Sequence, residues 1–529
     1  MKRLVCLLMV LAFTFMFTPC SVAEETQWAL PYQGDPVTIR VMGWETYSDY
    51  NWENEFGKWL KERLGNVTIE VEIPVSDTGT LLDLYLSSGS DMPDIMMYRD
   101  PDMFMQNYGD GGRTLNLLDY AEYMPGYMER REQYPHLSRY DTEDGKCYML
   151  FPCLSDRISE VWYQNQDLMD KYGLETPTTW DEMKACLDVV CAGEDDMSGI
   201  ICVAWGIEYY YSQFASMFGS MGRSPADICY DYDQGKWVFA LTEYEDIYRT
   251  ALEEFADVYA KGYIHPDFAT WEGSVCDSYI DTGKWLFANL YVDETSNLTQ
   301  QGLNYTYITT PTALGAKPHV RADYRSDNTG WIYMISNTTQ YPELCALYLE
   351  LLTSEEYAVA ARWGFEGVTY TVDENGKRAF TDEYLNMDIE TRKATYGLQG
   401  DVPYATHPFI SEFYVDDATV SAFPEVAQIA LADCADKLAT GEYITYYGAL
   451  TPKLDEMTKE DISVITTAYR TYITENLTKF ILGSRDMSEW DSFMDGLSAY
   501  GDMEWAVEQY NNAEQMPLPA QQTERHYVK

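Results

Sequence analysis

The sequence predicts an α/β protein of two or three domains. With 529 residues, 46% of them hydrophobic, the chain can fill more than one sizeable core. Between residues 37 and 98, runs of strand and helix periodicity alternate, the pattern of a parallel sheet wrapped by helices. Further along, long amphipathic stripes are separated by single apolar strands.

The chain opens with what reads as an export signal over residues 1–23: Lys2 and Arg3, the apolar run LVCLLMVLAFTFMF, and SVA ending at Ala23 with the small residues of a cleavage site. The alternative is lipidation at Cys20 in FTPCS, although Thr18 and Pro19 depart from the usual small residues there. Either reading places the mature chain outside the cytoplasm, secreted or lipid-anchored on the outer face of the cytoplasmic membrane. No later stretch reaches the ~18 uninterrupted apolar residues of a membrane span.

VTIRVM (37–42) reads as a buried strand, and ENEFGKWLKERL puts Phe56, Trp59, Leu60 and Leu64 on one helical stripe. VTIEVEIPV, TLLDLYLSSG and PDIMMY follow as strand, helix and strand. Ligands of parallel sheets lie outside the carboxyl ends of the strands, which draws notice to GWETYSDYNW after the first strand and SDMPDI entering the third. In KYGLETPTTWDEM, Gly173 can end a helix, Pro177 blocks its continuation, and Thr179 with Glu182 forms a capping box for the next. Trp180, Met183 and Leu187 give that helix its apolar face.

Ile247, Ala251, Leu252, Phe255 and Tyr259 form a further stripe, and PELCALYLELLTSEEYAVAARWG reads as one long helix. TGWIYMIS reads as a strand, and GVTYTVDENGKRAFT as a hairpin turning at Asn375 and Gly376. PEVAQIALADCADKLATG is a late helix, and the end from about Gln515 is polar and loose.

Composition removes several function classes. A formal charge of -50 repels nucleic acid and anionic lipid surfaces. Nine cysteines follow Ala23 without a CxxC pair, so neither a zinc ribbon nor a thioredoxin-like site is signalled. Most read as buried thiols; Cys147 and Cys153 could bridge locally. There is no GxSxG elbow, HExxH or P-loop, and the five histidines are dispersed. DTEDGK and DYDQGK lack full EF-hand spacing. No catalytic residue, metal or cofactor is implied.

EVWYQNQDLMDKYGLETPTTWDEM resembles a recurring stretch of the bacterial extracellular solute-binding proteins, family 1, of ABC transporters, particularly their oligosaccharide-binding lipoprotein branch. SSGSDMPDIMM, YIDTGKWLFA, TGWIYMISNTTQYPELCALYLELLTSEE, RWGFEGVTYTV and ENLTKFILGSRDMSEWDSFMDGLSAYG are similar to further segments of that family, in the same order. The resemblance implies a periplasmic-binding-protein-like fold: two α/β lobes, a ligand cleft between them and crossing hinge segments. It divides the chain into a first lobe (36–153 plus about 303–350), a helix-rich second lobe (154–302 plus about 351–512) and a loose tail (513–529). It implies a monomeric, non-enzymatic receptor that captures a sugar and presents it to ABC transporter permease subunits. Receptors for a peptide or other small solute, and a secreted glycoside hydrolase, stand as the alternatives.

Sugars offer apolar faces and a rim of hydroxyls, so aromatic platforms and convergent polar groups would hold them. Trp44, with Glu45 and Tyr47, follows the first strand. Asp94 enters the third, where it could accept sugar hydroxyls or cap a turn. Trp205 heads the aromatic run WGIEYYYSQF. Trp271 and Trp331 stand at loop-to-element junctions, and Trp363 with Glu366 forms the tightest aromatic-plus-acid constellation, in RWGFEG. Arg157 and Arg325 could donate in bidentate fashion or serve as surface ion pairs.

Overall fold

The computed structural model describes residues 28–515 except 44–51, 73–77, 99–100, 110–111, 134, 143, 152–156, 159, 203–205, 221–223, 232–233, 272, 293–294, 324–331, 399–422 and 447–450. Trp44, Glu45, Tyr47, Trp205, Arg325 and Trp331, together with Cys20, the leader 1–23 and tail residues 516–529, therefore lie outside the described residues.

The first sheet is built on the Tyr32–Met42 strand. It pairs in parallel with Gly65–Glu72, from Val37 opposite Val67 to Met42 opposite Glu72, and with Ile95–Tyr98 through Val41 and Ile95. The alternation of buried Val37, Ile39 and Val41 with more exposed neighbours sets that register. Ile332–Ile335 closes the sheet antiparallel, with Ile332 opposite Tyr98. Between the first two strands runs the Glu55–Leu64 helix, capped by the Asn54 side chain, which accepts from the Gly57 amide at 2.7 Å. Phe56, Leu60 and Leu64 are buried as the stripe predicts, while Trp59 is partly buried.

The second sheet has the order Tyr305–Ile308, Glu160–Asn165, Trp285–Tyr291, Ser198–Cys202. The last two run parallel, and Glu160–Asn165 runs antiparallel to both of its neighbours. Helices Trp180–Val190, Ile207–Ala215 and Glu245–Ala260 contribute buried faces to this core, and Glu425–Thr440 and Glu456–Ile481 close it.

Each core is made from two stretches of chain. One contains residues between Tyr32 and Phe151 and between Ile332 and Leu398; the other, residues between Val161 and Val320 and between Ala427 and Ala506. The chain thus passes from core to core three times. Near two of these passages Arg157–Ile158 pairs antiparallel with Ala322–Asp323, and the same His319–Asp323 strand pairs with Ile444–Tyr446.

Two placements differ from the division expected from sequence. Tyr305–Ile308 hydrogen-bonds to Glu160–Asn165 in the second sheet, not the first. Residues Tyr357 to Leu398 pack in the first core, not the second. The Tyr370–Val372 and Arg378–Phe380 hairpin carries Phe380 and Tyr370 against Trp363, which anchors that whole segment to the first core.

Local readings hold where a cap or turn dictates the backbone. Thr179 and Glu182 make the reciprocal capping box, and Gly173 takes the left-handed conformation that ends the preceding helix. The hairpin turns at Gly376 with φ +82°. The stretch expected as one helix over 342–364 is instead two, Pro342–Leu352 and Glu355–Arg362, because the Ser354 hydroxyl caps the second by accepting from the Tyr357 amide. All eight cysteines among the described residues are free, and Cys147 is buried with its thiol donating to the Met149 carbonyl. No helix among the described residues is long and apolar enough to cross a membrane.

Candidate functional site

The carboxyl ends of Ser198–Cys202 and Trp285–Tyr291 point the same way, and antiparallel Glu160–Asn165 brings its first residue to that end, with Glu160 opposite Tyr291. Gly206, four residues beyond Cys202, has φ +100° and starts the Ile207–Ala215 helix there. In open α/β sheets ligands bind outside the carboxyl ends of the strands, the end at which this βα junction lies.

A buried carboxylate organises it. Glu160 is 5% exposed and accepts from the Tyr209 hydroxyl and from Gln213 Nε2, the latter at 3.1 Å. Tyr209 and Gln213 are one helical turn apart, which is why both reach the same carboxylate. The Tyr209 and Tyr291 hydroxyl oxygens are 3.1 Å apart, and both tyrosines are partly buried. Their rings are attached to a fixed hydroxyl network, giving a stiff aromatic wall with a polar edge.

One residue before Tyr209, Glu208 opens onto a cavity of about 560 Å³ lined also by Arg470, Thr471, Thr474, Glu475, Thr478 and Lys479 of the long Glu456–Ile481 helix. Thr474 donates its hydroxyl to Glu208 Oε2 at 3.1 Å, and Arg470 Nη1 lies 3.4 Å from Oε1. Burial raises the Glu208 carboxyl above its ordinary pKa, with Arg470 acting in the opposite direction. The cavity lining offers hydroxyl, carboxylate, guanidinium and ammonium groups; the Tyr209 and Tyr291 rings are not among its lining residues. Among the described residues, no group of three or more His, Cys, Asp or Glu is arranged to hold a metal ion.

The described candidates from the sequence do not join this cluster. Asp94 stands at the amino end of Ile95–Tyr98, opposite the ligand end, and both its oxygens are taken: it accepts from the Arg40 amide at 2.8 Å and the Thr339 hydroxyl at 2.6 Å. Its role there is to tie the first strand to the turn after Ile332–Ile335. Trp271 is buried against the tilted rings of His265 and Tyr279, with ring centroids 4.5 and 5.1 Å away. Trp363 is fully buried, its ring packed on Phe380 at 4.7 Å and Tyr370 at 5.7 Å, so protein covers the surface a sugar would need. Glu366 is exposed on the turn that follows. The glycine there is structural: Gly364 has φ +82°, and a Cβ would come within 2.5 Å of the Thr369 hydroxyl that bonds the Trp363 carbonyl and the Phe365 amide. Arg157 lies in the strand paired with Ala322–Asp323.

Sequence reasoning missed Glu160, Gln213, Tyr291, Glu208 and Arg470. A signal for one of them was present, since an acid heading the apolar strand EVWYQN has no reason to be buried unless something binds it.

The sequence model described as bacterial extracellular solute-binding protein matches residues 44–359, more than half of the chain. The chain belongs to the bacterial extracellular solute-binding proteins. As such it is the non-enzymatic substrate-binding component of an ABC importer, with a solute and a transporter as its partners. Solved structures share its fold at low identity. The alginate-binding protein AlgQ2 is 17% identical with a TM-score of 0.70, covering 93% of this chain and 99% of its own. FusA of S. pneumoniae, solved with kestose, is 17% identical with a TM-score of 0.68, covering 89% and 98%. An HMO-binding, ABC-transporter-associated solute-binding protein of Bifidobacterium longum infantis is 17% identical with a TM-score of 0.62, covering 90% and 98%. The receptor thus has the two-lobed fold expected from its sequence.

Proposed function

We propose that the solute this receptor captures is an oligosaccharide, held where the carboxyl end of the second sheet faces the first lobe. The observation that carries the reading is the Glu160, Tyr209 and Tyr291 cluster: tyrosine edges fixed by a buried carboxylate give rings for apolar sugar faces and hydroxyls for the rim. Named relatives of the same fold that bind alginate, kestose or HMO lend support. Trp44 and Trp331 complete the site in this reading, because Gly43 and Ile332, their described neighbours, stand at the carboxyl end of the first sheet. Closure about the crossing segments brings the two ends together and presents the closed form to the permease subunits. The leader directs export, and either cleavage after Ala23 releases a secreted chain or lipidation at Cys20 anchors it, a choice that mass spectrometry of the mature N-terminus decides.

The test is a melting-temperature screen of the purified receptor against a broad glycan panel, since a ligand that binds only the native state raises Tm. A shift with one glycan family, diminished by Tyr291→Ala, is expected. No shift with any intact glycan would overturn the sugar assignment.

A further inference from the structure

Between the Tyr305–Ile308 and His319–Asp323 strands the chain turns sharply over Ala313 to Ala316. The Ala316 amide donates to the Ala313 carbonyl at 2.9 Å, and the two residues between them, Leu314 and Gly315, have φ of +53° and +74°. A turn with two left-handed central residues ordinarily takes Asn-Gly or Asp-Gly. Among the described residues the other non-glycine positions of positive φ are Asp91 and Asp196, whose short polar side chains tolerate that region. A leucine there is strained. Nor does its side chain serve the core: Leu314 is 79% exposed, the most exposed large hydrophobic residue described.

The tip is held from both sides. Thr312 exchanges backbone bonds with the segment that begins the Trp180–Val190 helix, its amide donating to the Thr178 carbonyl at 3.0 Å and its carbonyl accepting from the Trp180 amide at 2.9 Å. The Ala313 amide donates to the Met217 carbonyl at 3.2 Å. On the other side the Pro318 carbonyl accepts from the Ile444 amide at 3.1 Å, and His319 begins the strand that pairs with two crossing segments. Strain persists where the surroundings impose it, and it gathers at functional positions. An apolar side chain ordered in advance also loses little entropy when a partner covers it.

Charge and continuity point to the partner. Lys317 is exposed, and its ammonium forms no ion pair or hydrogen bond among the described residues. In a chain of 86 acids and 36 bases, that cation lets the tip approach a surface bearing carboxylates, which most of the receptor would repel. Membership of the family supplies one macromolecular partner, the transporter. A partner seated on the tip is joined directly to a strand between the two cores, so it would sense their movement.

We propose that this tip docks on the permease subunits of the ABC importer, Leu314 entering an apolar hollow and Lys317 pairing with an acid at its rim. The docking is independent of which solute the receptor carries.

The test measures binding of the intact receptor to its importer held in lipid nanodiscs, both as purified and with the glycan that raises its Tm most. The wild type is expected to bind in at least one of these states. In that state Leu314→Asn, which suits the turn better, should bind about 10-fold or more weakly, while its Tm equals or exceeds that of the wild type and its solute affinity is unchanged. Leu314→Met, still apolar, should retain most of the binding. Lys317→Glu should weaken it more at low salt than at high salt. Unchanged importer binding by Leu314→Asn overturns the proposal, as does a fall in its Tm, which would assign the leucine to the fold. Absence of wild-type binding in both states overturns it too. So does a Leu314-dependent dimer in sedimentation velocity, which would give the tip to a second copy. The sugar reading is decided by the glycan shift alone and survives any of these results.

Discussion

The Tyr209 hydroxyl, on the Ile207–Ala215 helix, donates to the carboxylate of Glu160 at the start of a sheet strand, with the Tyr291 hydroxyl oxygen 3.1 Å from that of Tyr209. Helix and sheet are thereby joined at the end where the solute is proposed to bind. Tyr209→Phe removes one hydrogen-bond donor from the buried carboxylate, and unfolding in urea should show a loss of about 1–3 kcal/mol. The same variant should bind its glycan more weakly, so unchanged affinity would separate the network from the site.

Trp363 yields the opposite expectation. Truncation to alanine empties a fully buried position against Phe380 and Tyr370, which should cost about 3–5 kcal/mol. Affinity measured on the folded fraction should not change. A specific loss of binding in Trp363→Phe at near-native stability would return the residue to the site.

His319 predicts a stability slope in acid. The residue is buried in the strand paired with Ile444–Tyr446, and burial depresses its pKa from 6.5 to about 4. Above pH 6.5 folded and unfolded forms are both neutral, and the native state keeps its full advantage. As pH falls from 6.5 toward about 4 the unfolded chain takes up a proton that the native state refuses, removing about 1.4 kcal/mol per pH unit. Denaturation midpoints across that window should fall less steeply in His319→Gln than in the wild type.

Thr179→Ala removes the cap from the helix that carries Trp180. The hydroxyl that accepts from the Glu182 amide at 3.3 Å is lost, and chemical denaturation should register about 1 kcal/mol. Ligand affinity should be unaffected, because Trp180 is buried with its indole N–H donating to Glu254 at 2.8 Å.

What the sequence disclosed was mostly local. The strand at 37–42, the capping box at Thr179 and the turn at Gly376 depend on nearby residues, and each is found as read. The break at Ser354 was less visible, because apolar periodicity continues through it while a single hydroxyl interrupts the helix. The site was harder still. Asp94 marks the entrance of a parallel strand, which is its amino end, so the rule about carboxyl ends excludes it. Trp363 beside a glycine looks like a platform until Gly364 is seen to need its left-handed conformation against Thr369. Glu160 and Arg470 reach the same end of the second sheet only through strand pairing and helix packing, which no spacing in the sequence records.

The nested order of the two cores also governs how the chain acquires its shape. Ile332 must find Tyr98 across a stretch that contains the whole second sheet, and that second core is itself incomplete until the residues between Ala427 and Ala506 return to it. Neither hydrophobic interior can close around an early fragment, and contacts so distant in sequence form slowly. A nascent chain of this order stays open for most of its synthesis, which keeps it threadable for a protein of an extracellular family and defers burial until nearly the last helix is free.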